Sequence, residues 1–146
     1  MAGEQGIDPA YELGIADLTE VLKEQPEHPI ALRYRGMAYT RTGKLDEAIA
    51  DHKKLIEVKP NDPYAYIVCG TLLTEAGKDE EAIMVYDTVL ELGGKSAEDA
   101  RFNRGQAYMR LNNKDMAKDD FEYLAKNAEN TKIQEESKTK LESLSK

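Results

Sequence analysis

The sequence predicts an all-α fold, a solenoid of three helix-turn-helix units with one further helix at each end. Three observations predict it. Gly36, Gly70 and Gly105 recur at intervals of 34 and 35 residues, and each is followed 12 residues later by an alanine, at Ala48, Ala82 and Ala117. Seven residues after each glycine stands Gly43, Gly77 or Asn112, residue types that accept the left-handed backbone ending a helix. Recurrence at this length marks an array of repeated helical hairpins. The composition agrees, with 146 residues, 40% of them apolar and 33% charged.

Taken in order, residues 1–28 hold one helix. Asp8 and Pro9 form an N-cap and first-turn pair, and Leu13, Leu18, Val21 and Leu22 are expected to face inward. Counting back 34 residues from Ala48 and Pro60 reaches Gly14 and Pro26. This helix therefore matches the second half of a repeat whose first half is absent. Residues 29–62 form the first full unit, closed by Pro60, and residues 63–97 the second, closed by Gly93 and Gly94. Residues 98–131 form the third, and the one extra residue in the spacing lies in the loop 93–97. Residues 132–146 form a polar terminal helix with only Ile133, Leu141 and Leu144 to bury.

Glycine inside a helix costs roughly 1 kcal/mol relative to alanine, so three such glycines call for close packing in return. Gly36, Gly70 and Gly105 are expected to let the two helices of each unit approach, with Ala48, Ala82 and Ala117 opposite. Tyr39, Leu73 and Tyr108 follow the glycines by three, and His52, Tyr86 and Phe121 follow the alanines by four, so they share those helical faces.

Glycine, aromatic, alanine, aromatic and a closing proline at these places resemble the tetratricopeptide repeat, over about residues 29–131. The departures are Leu32, Tyr66 and Arg101 where the family often has tryptophan, His52 in an aromatic slot, and a final proline only in the first unit. The resemblance implies a right-handed superhelix whose concave groove is lined by the first helix of each unit and binds a peptide or helix of another protein. The positions it assigns to the groove include Arg33, Tyr34, Met37 and Arg41 in the first unit. They include Tyr64 and Ile67 in the second, and Phe102, Asn103, Gln106 and Arg110 in the third.

Charge adds to this expectation. Residues 29–42 carry three arginines and no acid, residues 63–76 carry only Glu75, and residues 98–111 carry three arginines against Glu98 and Asp99. These helices total +3 in a chain of −8. A partner with acidic and apolar character would suit such a groove, through arginine forks and aromatic and methionine contacts. Family members that hold chaperone C-terminal tails use a clamp of lysines, asparagines and an arginine. The matching positions here are Arg33, Met37, Val68, Asp99 and Asn103, which implies no such clamp.

Other function classes find no support. No nucleophile motif, phosphate-cradling loop or metal-ligand spacing is present, so no catalysis, cofactor or metal is expected. His52 is expected to be packed and hydrogen-bonded, His28 to lie in a loop, and Asp119, Asp120 and Glu122 to form a solvated face. One cysteine, Cys69, rules out an internal disulfide. The acidic balance argues against nucleic acid, and no apolar run suits a membrane. The first residues lack the form of a leader, so a cytoplasmic location is expected. The alternative function is self-assembly, with the N-terminal half repeat as the interface of a homo-oligomer.

Overall fold

A computed structural model describes residues 8–146, and among them it is all-helical, with eight helices and no strands. The first seven residues, part of the stretch read above as lacking a leader, lie outside the described residues. The helices are α1 (Pro9–Glu24), α2 (Pro29–Arg41), α3 (Leu45–Val58), α4 (Pro63–Glu75), α5 (Asp79–Leu92), α6 (Ser96–Arg110), α7 (Lys114–Asn127) and α8 (Thr131–Leu144). None is long and apolar enough to cross a membrane. The chain forms two compact units, Met1–Ala65 and Tyr66–Lys146.

The sequence starts and stops these helices by local chemistry. Asp8 accepts from the Ala10 amide at 2.9 Å and begins α1, with Pro9 in the first turn. His28 does more than occupy a loop: its Nδ1 accepts from the Ala31 amide at 3.2 Å and caps α2. Asn113 and Asn130 cap α7 and α8 in the same way. Gly43, Gly77 and Asn112 take positive φ of 72°, 72° and 58°. There the next amide reaches back to close the turn: Lys44 to Tyr39 at 2.9 Å, Lys78 to Leu73 at 2.8 Å, and Asn113 to Tyr108 at 2.8 Å.

In the first unit α2 packs against both α1 and α3. Leu22, Ala31, Leu32, Leu55 and Ala65 form the core, with Leu18, Ile56 and Val58 partly buried against it. Each fully buried leucine contributes about 1.5–3 kcal/mol, so this small set is a large share of the unit's stability. Two inward expectations for α1 are corrected. Leu13 is 68% exposed and Val21 38% exposed, because only the side of α1 carrying Ile15 and Leu22 meets α2.

In the second unit α6 packs against α5, α7 and α8, and Tyr86, Phe121, Val89 and Leu124 are fully buried. The close approach at the repeated glycines is explicit in both units. A Cβ on Gly36 would lie 2.9 Å from His52 Nε2, on Gly70 2.5 Å from the Tyr86 ring, and on Gly105 2.9 Å from Phe121. A side chain therefore fits none of them without displacing a buried ring. At the end of the chain Ile133 and Ser137 are buried on α8, while Leu141 and Leu144 are half-buried.

Candidate functional site

Helix α2 carries the first unit's surface. Ile30, Tyr34, Met37 and Arg41 recur at four and three residues, so they share one side of the helix, and all four are exposed, Tyr34 by 56%. Tyr64, at the start of α4, is exposed by 52% and lies under the Arg33 guanidinium, 5.6 Å from ring centroid to Arg33 Cζ. Arg33 also donates to Asp62 at 2.7 Å, and Asp62 Oδ1 accepts from the Tyr64 amide at 3.1 Å. The structure thus brings Arg33 and Tyr64 together and leaves Tyr34, Met37 and Arg41 on the open side of α2.

The arginines divide sharply by role. Arg35, two residues from Arg33, turns inward and forks onto Asp51 with bonds of 2.8 and 2.7 Å, and also donates to Thr19 at 3.2 Å. It joins α1, α2 and α3. Hydrogen bonding to Asp51 raises its pKa further above the ordinary arginine value. Arg41 alone among the α2 arginines has no acidic partner among the described residues.

The second unit repeats the inward arrangement. Arg104 forks onto Asp120 at 2.9 and 2.6 Å and reaches Asp87 at 2.5 Å. Burial works against its charge, but the hydrogen bonds and charges of Asp120 and Asp87 outweigh that and hold its pKa above the usual value. Asp120, expected on a solvated face, is buried for this reason, with Arg101 3.4 Å away as a second cation. Of the predicted site residues here, Arg110 is exposed but paired with Asp79 at 2.8 Å. Phe102 is half-buried and sits edge-on to Phe121, ring centroids 5.7 Å apart. Asn103, Gln106 and Ile67 are half-buried as well. The second unit's predicted residues are therefore more occupied by the fold than the first unit's.

Two further features depart from the sequence reading or go beyond it. His52 is buried, yet neither ring nitrogen has a hydrogen-bond partner, which corrects the expectation of a bonded histidine. Burial lowers its pKa below 6.5, opposed by Asp51 and aided by Arg33, so the ring is neutral at pH 7. The Glu98 carboxylate accepts from the Glu129 and Asn130 amides at 2.6 and 3.1 Å, fixing the turn that leads into α8. It borders an open recess of about 720 Å³ lined by Lys95, Asp99, Arg101, Tyr123 and Asn127.

No curated protein matches the sequence. Solved structures do match the fold. The first tetratricopeptide repeat domain of Spaghetti (RPAP3), bound to the HSP90 peptide SRMEEVD, superposes with a TM-score of 0.69 at 24% identity, covering 80% of this chain and 90% of that one. A crystal structure of the MamA protein gives 0.72 at 19% identity, covering 93% and 81%. PcrH in complex with the chaperone binding region of PopD gives 0.68 at 18% identity, covering 78% and 88%. Tetratricopeptide repeat models match residues 11–66 and 98–130. With the repeated glycine contacts and turns described above, these matches establish that the chain belongs to the tetratricopeptide repeat family.

Proposed function

We propose that the chain is a protein-interaction module and that the open side of α2, with Tyr64, is where an extended segment of a partner binds. The observation that carries this reading is the exposure of Ile30, Tyr34 and Met37 along one side of α2, together with that of Tyr64. Exposed aromatic and methionine side chains grouped this way supply adaptable contact area. Two neighbours of the same fold are peptide complexes, one with an HSP90 peptide and one with a region of PopD, which supports binding of a protein segment here.

The partner's chemistry follows from what the fold leaves free. Arg33 and Arg110 are already matched to Asp62 and Asp79, so they hold the surface in shape more than they attract charge. Arg41 remains to receive a carboxylate. The segment is then chiefly apolar with one acidic group at the Arg41 end. A chaperone-tail clamp is not part of this proposal, because Val68 and Asp99 cannot donate to a carboxylate and Arg33 is engaged with Asp62.

Selection of a displayed random-peptide library on the chain tests the reading. Peptides enriched on the wild type should lose roughly tenfold or more in affinity on Tyr34→Ala combined with Met37→Ala. Acidic ones should also weaken on Arg41→Glu, with the fold intact by circular dichroism. Unchanged affinity in both variants would place binding elsewhere.

A further inference from the structure

The chain contains its own template for what belongs on the open face of α1. In α3 and α7 the residues three and four beyond the small alanine are Asp51 and His52, and Asp120 and Phe121. Each aspartate takes the fork of the arginine that directly precedes the helix glycine, Arg35 before Gly36 and Arg104 before Gly105. Each ring lies against that glycine. An arginine followed by a glycine thus meets an aspartate followed by a bulky side chain, twice in one chain.

Helix α1 repeats the receiving half of this arrangement. Gly14 stands 34 residues before Ala48, and three and four residues beyond it are Asp17 and Leu18. The face that is buried in α3 and α7 is open here. Tyr11 and Val21 are exposed, Gly14 and Leu18 are half-exposed, and a Cβ on Gly14 would meet nothing within 4 Å. Asp17 is exposed, and its carboxylate forms no ion pair or hydrogen bond among the described residues.

We propose that α1 is a second binding site, one that receives an amphipathic helix from a partner protein carrying an arginine followed by a small residue. The arginine forks onto Asp17, and glycine or alanine lies over Leu18. Charge argues for a foreign basic helix over a second copy of α1. Residues 9–24 carry Glu12, Asp17, Glu20 and Glu24 against Lys23, a net −3 that two apposed copies would double. The site lies apart from the peptide surface proposed on α2, and either can fail alone.

The probe is a helix-stapled peptide with the sequence of residues 28–43, which holds three arginines and the Arg35–Gly36 step. Binding to the full chain is measured by fluorescence anisotropy, with light scattering to follow oligomeric state. Saturable binding to a monomeric chain is expected, weakened roughly tenfold by Asp17→Asn. The same loss is expected when glutamine replaces Arg35 in the peptide, with little further loss when the two changes are combined. Asp17 is exposed, so its substitution leaves the fold intact. A peptide that merely displaced α2 would depend on Asp51 and ignore Asp17. That result overturns the proposal, as would absence of binding, or self-association of the chain abolished by Asp17→Asn.

Discussion

At the scale of single residues, His52 shows how one side chain sets a property of the whole unit. It fills the slot taken by Tyr86 and Phe121 in the other repeats, but brings two buried nitrogens with no partner. An unsatisfied buried polar group costs about 1–3 kcal/mol. Burial also lowers the histidine pKa from 6.5, so on acidification the unfolded chain takes up its proton before the folded chain does. Stability from this residue is full above about pH 7 and is lost as the pH falls through the unfolded value toward the lowered one. Thermal melts from pH 7.5 to 5 should show the wild type losing more stability than His52→Phe, which should also be more stable at neutral pH by about 1 kcal/mol. Parallel losses in the two proteins would mean that His52 is bonded or hydrated in solution.

At the scale of helices, the Arg35–Asp51 and Arg104–Asp120 pairs tie neighbouring elements together. The middle repeat has Cys69 and Val85 at the same places, an apolar solution in the same register. Removing one member of a buried pair strands the other, at about 3–5 kcal/mol, whereas replacing both with apolar groups is often nearly neutral. Denaturant unfolding should therefore show Arg104→Leu strongly destabilised and Arg104→Leu with Asp120→Val largely recovered. A double variant no better than the single one would show that Arg101 and Asp87 depend on the pair. This pattern was open to reading in the sequence. Arg-Gly at 35–36 and 104–105, each with an aspartate 16 residues after the arginine, recurs as plainly as the glycines do. Counting charge by helix concealed it, because Arg33 and Arg35 weigh the same in a sum although one is half-exposed and the other points at α3. The helices and turns were legible because glycine, asparagine and capping residues act locally. The outward turn of Leu13 and Val21 was not, since it depends on which neighbours α1 has.

At the scale of the molecule, family membership fixes the fold and leaves the partner to the exposed chemistry. Helix α8 exposes Lys132, Glu135, Glu136 and Lys138. Large apolar side chains are exposed on α1, on α2 and at Tyr64 in the first unit, and in the second at Met84, Met116 and Tyr123 among others. Engagement of a partner's peptide by the α2 surface can be seen residue by residue in solution. The most direct measurement is an amide chemical-shift map of the isotope-labelled chain titrated with a library-selected peptide. Perturbations should centre on Ile30, Tyr34, Met37, Arg41 and Tyr64. Perturbations confined to other faces, with these residues unmoved at saturation, would contradict it.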